Sequence, residues 1–356
     1  MMRWCPSQEE MAQFSIFRIA VMIMFLFAIC SITFYLSDLK TFSKSKYIGP
    51  AMRSNFTAKP KSTHKTTKCA TIERLKGLVL AINFNSPHFK VVPQLKEYYE
   101  PIFGKVIFCG EKKDDTLGVI QIEENKGRQG YICVVTAMKM YPGYTGYIHS
   151  NDDVLVNWWR LIDFNFKNIW LSSKLDYIGG YVFTREPPGW SWWRAFNTAA
   201  LCKKTFYLAK EMLKTSKHTN IPSNRLLSQY YNNTKNVELC LASYVDFFYI
   251  PQEFVSSYII FAELFAREKV YLEAAVATIF AFFTNQTNHN IVTSLYLPNI
   301  YGYSKIYESG EAFYRSYSVE LDILHPFKLD GPMNVANQNI LKNVITKHGD
   351  MLRSGC

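Results

Sequence analysis

The sequence has no internal repeat, no low-complexity linker and no cysteine spacing of the kind that holds zinc, which sets aside solenoids and zinc modules. It is also short of acid, with 29 Asp and Glu against 40 Lys and Arg and a formal charge of +11. That balance would suit a nucleic-acid binder if the charge formed a folded face. It does not: between Ser37 and Lys76, ten Lys or Arg stand against only Asp38 and Glu73, a net +8. The stretch 37–76 is rich in Ser, Thr and Pro and sparse in large apolar residues, so it reads as an extended basic stem. Nucleic acid is not an expected partner.

Long apolar runs free of charge are scarce too. One, Ile19 to Leu36, carries no ionisable side chain except Cys30 and Tyr35 and spans roughly 27 Å as a helix. A cleaved signal peptide would have a shorter apolar core and end in a small-residue cleavage site, which is not evident here. The expectation is a signal anchor at 19–36, a cytoplasmic tail at 1–18 and a luminal domain at 77–356. Flanking charge is ambiguous: Arg3 and Arg18 are offset by Glu9 and Glu10, while Lys40, Lys44 and Lys46 follow the segment. Three Asn-X-Thr acceptors, at Asn55, Asn232 and Asn285, favour a luminal C-terminal part. A second apolar stretch, Val255 to Phe283, is interrupted by Glu263, Arg267, Glu268, Lys269 and Glu273 and is expected to be a buried helix pair.

Setting aside Cys5 and Cys30 leaves Cys69, Cys109, Cys133, Cys202, Cys240 and Cys356, an even number that suits an oxidising compartment. Six cysteines allow about fifteen connectivities, so no pairing follows. Cys109 and Cys133 lie inside apolar runs, where buried free thiols are an equal reading.

The 280 residues from Gly77 onward are enough for one large domain or two tightly joined halves. Gly77 to Phe84 and Lys105 to Cys109 read as buried strands, with a helix at Val92 to Phe103 between them. A weaker strand at Val119 to Ile122, a helix at Tyr131 to Met140 and a strand at Gly146 to Ser150 continue the alternation of a parallel α/β sheet. Beyond these, Ala195 to Leu213 is helix-like, Thr215 to Asn236 polar and exposed, and Cys240 to Ile250 a strand.

The chain leaves the Gly146–Ser150 strand through Asn151-Asp152-Asp153. Ligands of open α/β sheets bind beyond the carboxyl ends of strands. Adjacent carboxylates there suit Mg²⁺ or Mn²⁺, which take oxygen ligands and share their shell with phosphate. A solvated loop pair is the plainer reading.

At fold level the sequence resembles Golgi type II glycosyltransferases of the GT-A (Rossmann-type) fold, and in texture it is similar to STELLO-related proteins. The blocks that carry this are AINFNSPHF (Ala81 to Phe89), YYEPIFGKVIFCG (Tyr98 to Gly110), YPGYTGYIHSNDDVLVNWW (Tyr141 to Trp159), DFFYIP (Asp246 to Pro251), YLEAAVATI (Tyr271 to Ile279) and HPFKL (His325 to Leu329). The resemblance implies a nucleotide-sugar donor, Asp153 as a metal ligand, and Asp152 beside it on ribose or metal. Asn151-Asp152-Asp153 departs from a strict Asp-X-Asp, which leaves open which carboxylate coordinates. It also implies that His325 completes the metal shell, with Lys328 meeting the diphosphate.

An acceptor hydroxyl needs a base as it attacks the anomeric carbon. Glu273, interrupting an apolar helix, is one candidate, although an ion pair with Lys269 explains it as well. Asp246, at the end of an expected strand, is the alternative. Asn83 and Asn85, after the first strand, sit where GT-A folds usually meet the nucleotide and could bond uracil or ribose, although loop Asn residues are common. Trp190, Trp192 and Trp193 could form an acceptor platform or simply fill the core. The expected function is metal-dependent glycosyl transfer to a glycan or glycoprotein in the Golgi lumen, by a homodimer or in complex with other glycosyltransferases. A catalytically silent scaffold for glycan synthases and a lectin-like receptor are the competing readings.

Overall fold

The computed structural model describes residues 72–172, 197–215, 223–238, 240–296, 317–330 and 334–354. The expected anchor at 19–36, most of the stem, and Trp190, Trp192 and Trp193 lie outside them. No helix among the described residues is long and apolar enough to cross a membrane.

In chain order the elements are β1 (Leu78–Phe84), α1 (Val92–Tyr99), β2 (Lys105–Gly110), β3 (Val119–Gln121), α2 (Ile132–Met140), β4 (Gly146–Asn151), β5 (Leu155–Val156) and α3 (Trp158–Leu161). They continue as β6 (Trp170–Leu171), α4 (Thr198–Thr215), α5 (Ser223–Thr234), β7 (Phe247–Pro251), α6 (Val255–Arg267), α7 (Leu272–Phe280), β8 (Asn290–Ile291), β9 (Ser294–Tyr296) and β10 (Ile323–His325). The C-terminal part is α8 (Asn334–Ile340), a π-helical stretch Leu341–Thr346 and α9 (Lys347–Ser354).

Seven strands form one sheet in the order β3-β2-β1-β4-β7-β6-β8. The first four pair in parallel, and β7 runs antiparallel to both β4 and β6. The order 3-2-1-4 with intervening helices is Rossmann-like. All seven residues of β1 are buried, as a central parallel strand covered on both faces requires.

Alternation sorts the side chains into two cores. On one face Val79, Ala81, Tyr147, Phe248 and Ile250 pack with α2, α4, α6 and α7. On the other, Leu78, Leu80, Ile82, Phe84, Ile148, Phe247 and Tyr249 pack with α1, the tryptophans of α3 and the C-terminal helical segment. Trp170 stacks on Tyr249 with centroids 4.0 Å apart, and Tyr249 donates its hydroxyl to the Phe166 carbonyl at 2.9 Å. Gly146 is required here, because a Cβ would collide with the Tyr249 ring.

Two segments differ from the sequence expectation. The polar stretch after Thr215 contains α5, held because Leu226 and Tyr230, four residues apart, share one buried face and Tyr230 stacks on Phe282. The strand expected from Cys240 is confined to Phe247–Pro251. Residues 241–246 are taken by other partners, since Leu241 donates its N–H to Thr278 Oγ1 at 3.0 Å and Ser243 to the Glu273 carbonyl at 3.2 Å.

Cys109 and Cys133 are not free thiols: they form one disulfide, tying the end of β2 to α2, and Cys202 and Cys240 form a second, tying α4 to the approach to β7. Loop closure over separations of 24 and 38 residues would give about 3 and about 4 kcal/mol. Reduction under native conditions should therefore lower the urea midpoint, and Cys202→Ala/Cys240→Ala should reproduce the larger part of that loss. An unchanged midpoint would show that the bridges add no net stability.

Candidate active site

In the order 3-2-1-4 the direction of strand addition reverses between β1 and β4, and the crevice outside their carboxyl ends is the natural binding place. The Asp152 N–H closes it at the bottom by donating to the Asn83 carbonyl at 2.9 Å. The Asn-Asp-Asp turn therefore grows directly from the sheet.

Asn151 anchors that turn sideways. Its N–H donates to the Asp246 carbonyl at 2.9 Å and its Nδ2 to Asp246 Oδ1 at 2.9 Å. The residue that departs from a strict Asp-X-Asp is thus the one that fastens the turn to the start of β7.

A second, three-stranded sheet, β5-β10-β9, brings the C-terminal block to the turn. Leu155 and Val156 pair antiparallel with Leu324 and Ile323, and β10 runs parallel to β9. Phe327 donates its N–H to the Asp153 carbonyl at 2.6 Å. Buried Asp322 stitches the same region by accepting from the Thr293 N–H at 2.5 Å and from Arg160 Nε at 3.1 Å. His325 Nε2 consequently lies 3.4 Å from Asp153 Oδ1 and 3.6 Å from Asp246 Oδ1, and Lys328 Nζ donates to Asp153 Oδ2 at 3.0 Å.

The charges follow from this packing. Burial alone would raise the Asp153 carboxyl, but His325 and Lys328 outweigh it and hold the group well below the usual carboxylate range. Burial would lower His325, yet Asp246 and Asp153 raise it to about 9. Asp152 is pushed up by burial and then by its neighbour Asp153. Glu273, in the first turn of α7, is raised by burial and by Asp246, and its Oε2 is buried without a hydrogen-bond partner. Asp152, Asp153, Asp246, Glu273, His325 and Lys328 thus form one cluster drawn from four separate parts of the chain.

Among the described residues no group of three or more His, Cys, Asp or Glu side chains is arranged to hold a metal unaided. Mg²⁺ and Mn²⁺ in phosphate sites need only one or two protein ligands, because substrate oxygens supply others. Two donors about 2.1 Å from an octahedral ion stand about 3 Å apart. Buried Asp153 Oδ1 and His325 Nε2, 3.4 Å apart, come close to that spacing.

Asn83 and Asn85 bond to each other, with Asn83 Nδ2 donating to Asn85 Oδ1 at 3.1 Å. Gly130 lies against them, and a Cβ there would stand 2.6 Å from Asn83 Nδ2. The sequence reading missed three polar residues around this point. His149 of β4 is buried, stacks on Phe248 at 4.7 Å and is lowered to about 3 by burial, so it is a neutral ring in the floor. Glu124 and Gln129, in the loop between β3 and α2, are also buried. A Glu and a Gln in a polar loop carry no distinguishing pattern; only packing reveals them.

The chain is 21% identical over 257 residues to "Probable glycosyltransferase STELLO1" of Arabidopsis thaliana and 23% identical over 260 residues to "Probable glycosyltransferase STELLO2" of the same plant. Each match covers 71% of this chain but only 30% of the relative. No family model matches the chain, and no solved structure matches it. The similarity bears out the resemblance carried by the sequence blocks.

Burial raises Glu124 to about 7. A carboxyl whose folded value exceeds its unfolded one binds more protons when folded, so its contribution to stability falls as pH rises through that interval. The melting temperature should drop between about pH 4.5 and 7 by a component worth up to about 3 kcal/mol, and Glu124→Gln should remove that component. An identical pH profile in the variant would show that Glu124 is not desolvated.

Proposed function

We propose that the chain is a metal-dependent glycosyltransferase with a GT-A-like fold that moves a sugar from a nucleotide-sugar donor to a glycan or glycoprotein in the Golgi lumen. The observation that carries the proposal is the convergence of Asp152, Asp153, Asp246, Glu273, His325 and Lys328 at the β1/β4 switch point. Similarity to two proteins named as probable glycosyltransferases supports it.

In this reading Asp153 and His325 hold Mn²⁺ or Mg²⁺, with Asp152 turned toward the ribose or the same ion. When bound, the ion supplies positive charge that makes the nucleoside diphosphate a better leaving group. Lys328, a point charge on a flexible stem, meets the diphosphate. Glu273 takes the acceptor hydroxyl proton as that oxygen bonds to the anomeric carbon, and the diphosphate departs with the electrons of the broken bond. Burial and Asp246 raise its carboxyl, and Asp246 is the alternative base. Trp190, Trp192 and Trp193 are proposed to stack the acceptor.

The anchor at 19–36 would make this a single-pass type II Golgi membrane protein. Two disulfides suit an oxidising lumen. Asn285, on an exposed loop, accepts from Thr287 Oγ1 at 3.0 Å, and both groups of that acceptor triplet are accessible to modification. Thr234 of the Asn232 triplet is buried instead and donates to the Tyr230 carbonyl at 3.0 Å. If the domain is luminal, glycosidase treatment of the protein from secretory cells should produce a mobility step that Asn285→Gln removes. A protein without any such step would place the domain outside the lumen or leave Asn285 unmodified, which protease protection of sealed vesicles would distinguish.

One observation favours a silent scaffold: Asp153 is already paired with His325 and Lys328. Thermal shifts with Mn²⁺ and a panel of nucleotide sugars separate the two. Joint stabilisation by metal and nucleotide, lost in Asp153→Ala and His325→Ala variants that still melt cooperatively, is expected of the enzyme. Glu273→Gln should keep that binding and lose turnover by about 10²- to 10⁴-fold. No metal-dependent stabilisation by any nucleotide would sink the enzyme reading.

A further inference from the structure

The run from Cys240 to Ile250 is buried at every position but two. One is Asp246, part-buried in the acid cluster; the other is Tyr244, 41% exposed between Ser243 and Val245, which are both fully buried. A lone exposed aromatic on a protein surface is ordinary. This one is set apart because the backbone on either side of it is fastened to the cluster. Ser243 donates its N–H to the Glu273 carbonyl at 3.2 Å, and Asp246 Oδ1 accepts from Asn151 Nδ2 at 2.9 Å. The ring is thus presented to water from a fixed segment at the edge of the site.

A second ring comes from another element. Tyr271, part-buried, is the N-cap residue of α7, and its carbonyl accepts from the Ala274 and Ala275 N–H groups at 3.1 and 2.8 Å. Glu273 follows it in the first turn of the helix. Burial, then Asp246 and Glu273, raise the Tyr244 hydroxyl; burial, then Glu273 and Asp246, raise that of Tyr271. Both phenols therefore lie within electrostatic reach of the same two carboxyl groups, and Arg128 is within reach of Tyr271.

An exposed aromatic face, phenol hydroxyls and carboxyl groups side by side are the complement of a sugar ring. Its C–H groups form a flat apolar patch that packs on a π face, while its hydroxyls donate to carboxylates and exchange hydrogen bonds with phenols. A lipid chain would set apolar surface against two acids and leave them unpaired. A serine or threonine of a peptide has no ring to lay on Tyr244. We infer that Tyr244 and Tyr271 hold the ring of the acceptor, and that the acceptor is the terminal sugar of a glycan rather than a peptide hydroxyl. The inference rests on the proposed transferase function, with a hydroxyl of that sugar delivered to Glu273 or Asp246.

The test measures nucleoside diphosphate release from nucleotide sugars with Mn²⁺ by the full chain, purified in detergent, alone and with free oligosaccharides or with peptides containing serine and threonine. Oligosaccharides should stimulate release and peptides should not. Tyr244→Leu keeps apolar bulk but removes the ring face, so KM for the oligosaccharide should rise on the order of tenfold while KM for the donor holds. Tyr244→Trp restores a face and should recover the lower value. A merely structural role would give neither the split nor the rescue. Tyr271→Phe, which removes only a hydroxyl, should raise the same KM even if Tyr244→Leu does not fold. Peptides stimulating as well as oligosaccharides, or a wild-type oligosaccharide KM in the folded variants, would overturn the acceptor assignment and leave the glycosyltransferase reading standing. Stimulation by no acceptor, in a protein that Mn²⁺ and nucleotide still stabilise, would overturn the acceptor assignment and leave the donor site. Loss of that stabilisation as well would overturn both.

Discussion

A carboxylate removed from water must be matched by positive charge close at hand, or the fold loses several kcal/mol. Asp153 is 8% exposed, and its partners, His325 and Lys328, arrive from the far end of the chain. Much of the architecture serves this pairing. β5 leaves the Asn-Asp-Asp turn, β10 zips onto it, and the Phe327 N–H caps the Asp153 carbonyl. The three-stranded sheet is therefore the device that carries two cations across about 170 residues of sequence to one buried acid.

The same constraint organises the surrounding acids. With Asp153 held ionised, Asp152 beside it cannot easily carry a second negative charge, and Glu273 is pushed up in turn by Asp246. Carboxyl groups of one chemical type thus divide into an ionised member and raised members by environment. That division is what a site needs if one carboxylate is to hold charge and another is to accept a proton. Asn151 and the two disulfides act behind the cluster: the first pins the turn to Asp246, and the bridges fasten β2 to α2 and α4 to the approach to β7.

Much of the scaffold was readable in advance because its signals are local. GLVLAINF, KVIFC and GYIHS are continuous buried runs at strand length, and the structure places β1, β2 and β4 there within one residue or so. Val255 to Phe283 divides into α6 and α7, with Lys269 in a left-handed conformation between them at φ 58°. The misses were tertiary. A polar composition concealed α5, whose buried face is only Leu226 and Tyr230 with a few neighbours. Cys240 read as the start of a strand because alternation continued through it, whereas a disulfide and Thr278 hold that segment.

By itself the sequence determined the α/β alternation, the strand that ends at Asp152-Asp153 and the residue types on which the proposed chemistry draws, because periodicity and chain order are properties of neighbours. Which acids lie together, which stay charged, and which cysteines pair depended on contacts between segments far apart in the chain. Glu124 and Gln129 show the difference most sharply. In the sequence they are two polar residues of a loop; in the fold both side chains are buried, and burial alone makes them chemically significant.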